Sequence, residues 1–185
     1  MQLSKEEKIA IEDLCLLTEK PVLYVANVDE NSIHTGNRFS EALIQAVKND
    51  EDAMVIVLNN SIEAQIAEMP DEDKELFLSE YNLTEPGLNR LIRATYDLLN
   101  LITYFTAGVQ EVRAWTIHKG WKAPQAASVI HTDFEKGFIK AEVIGYNDFL
   151  QFKSEAACRE HGKLRIEGKE YVVADGDVMH FRFNV

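Results

Sequence analysis

Two short apolar runs, separated by a stretch with helical periodicity, constrain this chain more than any other feature. Pro21 is followed by Val22-Leu23-Tyr24-Val25-Ala26, and a second run spans Ala53 to Leu58. Neither run alternates apolar with polar residues, which suits a parallel strand covered on both faces better than a half-solvated antiparallel one. Between them Phe39, Leu43, Ile44 and Val47 fall on one side of a helix. Strand, helix, strand is one βαβ unit, and open sheets built from such units bind ligands at the carboxyl ends of their strands. The residues just after the two runs, Asn27 onward and Asn59 onward, are therefore the first places to look for a site.

The rest of the chain follows a different pattern. Ser4-Lys5-Glu6-Glu7 has capping-box spacing, and Ile9, Leu14 and Leu17 can share a face, so a helix is expected from Ser4 to about Leu17. Asp71 after Pro70 opens a helix through Leu78. Thr84-Glu85-Pro86-Gly87 opens a longer one carrying Leu88, Leu91, Ile92, Thr95, Leu98 and Leu99. Past Ile102 the periodicity turns to strands, expected at Glu111–Ile117, Phe138–Ile144, Tyr171–Ala174 and Val178–Phe183. Short helices are expected at Pro124–Ile130 and Asp148–Phe152.

Charge divides the chain at the same place. Met1 to Asn100 hold 8 Lys and Arg against 20 Asp and Glu, whereas the remainder holds 11 of each, so the first half carries the whole net charge of −12. The acidic half should repel nucleic acid, and any RNA contact belongs to the C-terminal half. No apolar run approaches the ~20 residues of a membrane span, and Met1 to Lys20 is charged throughout, unlike a secretory signal. A cytoplasmic protein with no membrane or DNA partner is expected. Only Cys15 and Cys158 are present, without Cys-x-x-Cys spacing, so neither a disulfide framework nor a zinc site is indicated.

Several ordered blocks identify the second half more closely. Tyr104-Phe105-Thr106-Ala107-Gly108, Glu111-Val112-Arg113-Ala114-Trp115-Thr116, Ala123-Pro124-Gln125-Ala126-Ala127, His131-Thr132-Asp133-Phe134-Glu135-Lys136-Gly137-Phe138-Ile139 and Asp175-Gly176-Asp177-Val178-Met179-His180-Phe181-Arg182-Phe183-Asn184-Val185 succeed one another almost end to end. In these blocks the chain resembles the TGS domain that closes the YchF, or Obg-like ATPase, family. The resemblance implies an α/β chain in two parts. Residues 1–101 would be the C-terminal part of a P-loop-NTPase-like nucleotide-binding domain with a helical linker, and residues 102–185 a β-grasp, ubiquitin-like TGS domain. It further implies a ribosome-associated ATPase linked to translation and redox state, using ATP and Mg2+ in the complete protein.

The family resemblance gives the strand ends a meaning. In Ras-like GTP-binding proteins an Asn-Lys-x-Asp motif after a strand reads guanine, its Asp accepting from the N1 and N2 donors. Here Asn27-Val28-Asp29-Glu30 stands in that place, with Val28 for the Lys and Glu30 for the Asp. Adenine lacks the N2 amine and its N1 accepts, so a longer carboxylate approaching the N6 amine suits ATP. Asn59-Asn60-Ser61-Ile62-Glu63 occupies the place of the second base-contact loop, from which Ser61 is carried over. By spacing alone, Asn-x-x-Glu after a strand can be a simple turn, and Ser61 or Asn60 can serve as a helix cap.

The phosphate chemistry is not represented. ATP hydrolysis needs a Gly-rich loop cradling phosphates, a Lys reaching them and a Ser or Thr on magnesium, and no Gly-x-x-x-x-Gly-Lys-Ser/Thr segment occurs in the sequence. The chain is thus expected to be a C-terminal fragment or truncated product, with no catalytic residues, weak or absent ATP binding, and self-association through sheet surface near Val22 to Val25. Among aromatics, Trp115, Phe181 and Phe183 alternate along strands and are expected in the core. Trp121, inside Lys119-Gly120-Trp121-Lys122, is the exposed candidate, and Lys119, Trp121 and Lys122 form the expected RNA or ribosome contact. His131 and Asp133 are expected to fix a loop rather than bind metal. The competing reading is a stand-alone TGS-type module that binds RNA, ribosome or protein and has no nucleotide role.

Overall fold

The two apolar runs pair as the sequence pattern requires. The computed structural model describes residues 4–108 and 111–184. Val185, which ends the closing motif, and the side chain of Ile9 lie outside them. The chain divides between Leu99 and Asn100 into two compact units.

In the first unit α1 (Lys5–Ile11) precedes β1 (Val22–Asn27), α2 (Arg38–Val47), β2 (Ala53–Leu58), α3 (Asn60–Glu68), α4 (Asp71–Glu80) and α5 (Gly87–Leu98). β1 and β2 run parallel, in register from Val22 opposite Ala53 to Asn27 opposite Leu58, with α2 and α5 packed on them. Ile33, Ile62, Ile66 and Leu78 form a small core.

The first helix differs from expectation. Its capping box is present, Ser4 N–H donating to Glu7 Oε2 (2.8 Å) and Glu7 N–H to Ser4 Oγ (3.2 Å). Yet it ends at Ile11 instead of reaching Leu17, continuing as two 3-10 turns around Cys15, whose φ of 49° is left-handed. Leu14 and Leu17 are solvent-exposed. Leu14 and Leu17 thus gain no cover from the rest of the described residues, and a short helix without tertiary support is marginal.

The second unit contains β3 (Leu101–Ala107), β4 (Val112–His118), α6 (Ala123–Ser128), α7 (Thr132–Lys136), β5 (Phe138–Ile144), α8 (Tyr146–Phe152), α9 (Glu155–Glu160), β6 (Arg165–Glu167) and β7 (Val178–Phe183). The sheet order is β4-β3-β7-β5-β6, with β3 and β7 parallel at the centre and the β3–β4, β5–β7 and β5–β6 pairs antiparallel. Numbered within the unit this is 2-1-5-3-4, the β-grasp arrangement. Tyr104, wholly buried, donates its hydroxyl to Ala126 O (2.9 Å) and ties β3 to α6.

Three departures have physical causes. Asn100 turns the chain at a left-handed φ of 54°, so β3 starts at Leu101 and the division falls two residues before the boundary drawn from the sequence. β3 itself, which pairs with both β4 and β7, lies ahead of the first strand expected in this half. Tyr171–Ala174 is not a strand, and only Val172 bridges Lys122. That segment is bent around Asp177, whose buried carboxylate accepts from Tyr171 Oη (2.7 Å) and Ala174 N–H (2.9 Å).

Candidate functional site: the strand-end loops and the basic surface

At the carboxyl end of the parallel pair two asparagines join the loops. Val28 N–H extends the pairing by donating to Leu58 O (2.9 Å). Asn27 Oδ1 accepts the Asn60 N–H (3.0 Å), and Asn59 Nδ2 donates to Val28 O (2.7 Å). Each loop thereby satisfies the other's backbone, so the pair forms one edge and not two independent turns. Asn59 is buried, and its Oδ1 also accepts from Ile62 N–H (2.9 Å), so it is the N-cap of α3. The cap role considered for Asn60 or Ser61 belongs to Asn59.

The candidates divide between scaffold and surface. Val28 is buried, so its side chain packs inward where a base-stacking Lys stem would need to be exposed. Asp29 caps the short turn Glu30–Ser32 by accepting from Ser32 N–H and Oγ (3.1 and 3.0 Å). Glu30 and Ser61 are exposed on the two joined loops, and the Glu30 carboxylate makes no hydrogen bond or ion pair among the described residues. Ile62 and Glu63 are structural: Ile62 is fully buried, and Glu63 accepts from the first backbone N–H groups of α5.

In the second unit the proposed contact turn is more integrated than its composition suggests. Gly120 takes a φ of +91°, which L-residues rarely adopt, and no atom would meet a Cβ there. Lys119 is exposed. Trp121 is partly exposed, packing against the main core and 5.5 Å from the His118 ring. Lys122 pairs with Glu170. Trp115 packs on the core, donates to Thr106 Oγ1 (2.9 Å) and carries Arg113 over its ring at 4.1 Å. Phe181 is buried, and Phe183 stacks on Phe134.

The closing motifs are largely architectural. His131 Nδ1 accepts from Asp133 N–H (3.2 Å) and caps α7, the loop-fixing role expected of it. Asp175 Oδ1 accepts from Thr103 N–H (2.8 Å), and Asp177 O accepts from Phe105 N–H (2.8 Å), so the Asp-Gly-Asp turn fastens β7 to β3. A cluster that the sequence did not pair appears beside it. Glu142 on β5, buried, accepts from Arg182 Nη2 (3.3 Å) and Arg159 Nη2 (3.4 Å), with Glu155 and His180 adjoining. Burial alone would raise the Glu142 pKa, but the Arg182 hydrogen bond and the charges of Arg182, Arg159 and His180 hold it below its ordinary value. The β5–β7 register brings Glu142, His180 and Arg182 together and α9 adds Glu155 and Arg159, a juxtaposition that local sequence pattern does not report. No helix among the described residues is long and apolar enough to cross a membrane.

Residues 101–184 match the family YchF-GTPase_C, described as a protein of unknown function (DUF933). The curated protein "Ribosome-binding ATPase YchF" of Haemophilus ducreyi is 57% identical over 183 residues, covering 99% of this chain and 50% of its own length. The proteins of that name from Escherichia coli O157:H7 and Bacillus subtilis are 54% and 52% identical across the whole chain, again over about half their length. The solved Schizosaccharomyces pombe YchF GTPase superposes with a TM-score of 0.79 at 38% identity, covering 98% of this chain and 48% of that one. A Pyrococcus horikoshii GTP-binding protein, 18% identical with a TM-score of 0.61, shares the fold. Matched along its whole length at more than half identity, yet spanning about half the length of these relatives, the chain belongs to the YchF family.

Proposed function

We propose that this chain carries the base-recognition edge of an ATP-binding domain, residues 1–99, followed by a TGS domain, residues 100–185, that contributes ribosome contact in a cytoplasmic protein. The observation that supports the nucleotide reading most is the reciprocal join of Asn27 to Asn60 and Asn59 to Val28. It fixes two loops at the carboxyl end of a parallel pair, where α/β sheets bind ligands, and leaves Glu30 and Ser61 exposed on them.

Base choice follows from donor count. A carboxylate at Glu30 can accept from an exocyclic N6 amine, whereas guanine recognition pairs a carboxylate with two adjacent donors. Magnesium and the triphosphate would be held by a P-loop, which this sequence does not contain, so affinity of these residues alone should be weak. The curated relatives are called ATPases and the yeast structure a GTPase; the Glu at this position favours adenine here. Ribosome association comes from the relatives' name and is assigned to the C-terminal unit because the first unit holds the whole net negative charge. Lys119, Trp121 and Lys122 remain the proposed turn contact.

The test is amide NMR of the 185-residue polypeptide titrated with ATP and with GTP. ATP should shift Asn27 to Ser32 and Asn59 to Ile62, and Glu30→Ala should remove the shifts. Equal responses to both nucleotides, or none at saturating ATP, would overturn the base assignment. Co-sedimentation with ribosomes tests the second unit separately; binding without any nucleotide response would favour the interaction-module reading.

A further inference from the structure

The second face of the β-grasp sheet holds a set of cations with donors to spare. On β5 and β7 Lys140 stands opposite Arg182 and Glu142 opposite His180. Ala141, Val143, Met179 and Phe181, alternating with them, fill the core, so these four lie on the other face. Arg159 joins them from α9, with Nη2 3.4 Å from Glu142 and 3.2 Å from Glu155.

The placement of charge in depth matters here. The Glu142 side chain is 9% exposed, whereas those of Arg159 and Arg182 are 59% and 47% exposed. The carboxylate thus anchors two guanidiniums from beneath. Each arginine spends only Nη2 on it, and Nε and Nη1 of both make no hydrogen bond among the described residues. The N–H groups left over on each guanidinium can donate to phosphate oxygens. Lys140 makes no ion pair among the described residues and stands opposite Arg182 across the strands, adding a positive charge to the same face.

Two alternatives fit less well. Ligand-type atoms of Glu142, Glu155 and His180 lie within 4.8 Å of one another, but a divalent cation there would meet two fixed guanidiniums. Stacking of unpaired bases is served best by Phe, Tyr or Trp, and none of these is among the charged residues paired around Glu142. Backbone phosphate contact requires neither.

We propose that Arg159, Arg182 and Lys140 form a phosphate-contacting face that takes the phosphodiester backbone of folded RNA. The proposal rests on the ribosome-association reading and adds a second contact face to the turn at Lys119, Trp121 and Lys122. It is tested by binding of the 185-residue polypeptide to purified ribosomes and to fluorescein-labelled duplex RNA across a salt series. Lys140→Ser with Arg182→Ser should weaken both on the order of tenfold and lower the slope of log K against log salt by roughly two units. Lys140→Ser alone, which removes no ion pair and should leave the fold intact, should lower it by about one. Lys140→Arg with Arg182→Lys should restore the slope, which a purely structural role would not require. If folded Lys140→Ser matches the parent at every salt concentration, the face is not the contact. A parent that binds ribosomes but no RNA points to a ribosomal protein and overturns the proposal. A parent that binds neither removes the ribosome reading as well.

Discussion

Glu63, in the first turn of α3, accepts hydrogen bonds from the backbone N–H groups of Gly87 at 2.8 Å and Leu88 at 3.1 Å, at the start of α5. A carboxylate there satisfies two donors that no helix can satisfy itself and complements the helix dipole. Gly87 permits the approach, since a Cβ would lie 2.5 Å from both Glu63 Oε1 and Leu58 Cδ2. Arg90 Nη2 closes the clamp on Val57 O (3.1 Å). The loop after β2 is thereby held between strand and helix.

Glu63→Ala should cost about 1–3 kcal/mol of unfolding free energy, the cost of leaving charge-assisted partners unmet. Glu63→Gln, which keeps an acceptor, should cost less. Urea unfolding checks this. Equal losses for the two substitutions would show that the carboxylate charge and its hydrogen bonds are not the source.

Gly137 should tolerate no side chain. Its φ of −89° is ordinary, but a Cβ would lie 1.9 Å from Asn184 O, whose residue donates its N–H to Gly137 O at 2.9 Å. Gly137→Ala must therefore break the β7 end away from the helix turn, and a loss of about 3 kcal/mol or more is expected. A melting temperature within a degree or so of the parent would refute the close approach.

How much of this was legible beforehand depends on how local each signal was. The β1 and β2 runs, the start of α5 at Pro86-Gly87 and the strand Phe138–Ile144 follow from periodicity and turn residues within their own segments. β3 was hidden because Leu101 to Ala107 directly continues the apolar pattern of α5, and the break between them is one left-handed Asn100. Tyr171–Ala174 read as a strand because local pattern cannot report that Asp177 will bend it. Asn27 was recognisable by its place after a strand, but its bond to Asn60 spans 33 residues. The Glu142 cluster needed the β5–β7 register, which nothing in the sequence fixes.

Glu142 should make stability depend on acid in a definite direction. Its folded pKa lies below the ordinary 4.5, so its contribution is fully present above that value and is lost as pH falls through the depressed folded value. Glu142→Gln cannot titrate. The stability gap between parent and variant should be largest at neutral pH, about 1–3 kcal/mol, and close on acidification. A gap that stays constant from neutral to strongly acidic pH would deny that the carboxylate is held ionised by Arg182 and Arg159.

Self-association should run through β1. Val22, Tyr24 and Val25 are 45%, 38% and 44% exposed, on a strand whose sheet, among the described residues, has only β2 beside it. Parallel strands are ordinarily covered on both faces, and exposed apolar edges template pairing. Sedimentation velocity should show concentration-dependent association that Val22→Thr with Val25→Thr reduces. A monomer at all concentrations, with no binding of a hydrophobic dye, would show that this surface is tolerated bare.

Catalysis is the sharpest negative test. Phosphoryl transfer is almost entirely positioning and electrostatic stabilisation by phosphate-cradling N–H groups, a Lys and a metal-holding hydroxyl. None of the 185 residues forms the Gly-x-x-x-x-Gly-Lys-Ser/Thr pattern that supplies them. The strand-end loops can orient a base, yet orientation at the base leaves the γ-phosphate without a stabilised transition state. The purified polypeptide should therefore show no ATP turnover above background with magnesium present, even where NMR detects ATP at Glu30. Turnover that follows the polypeptide through purification and is abolished by Glu30→Ala would mean that these residues hold phosphate chemistry of their own.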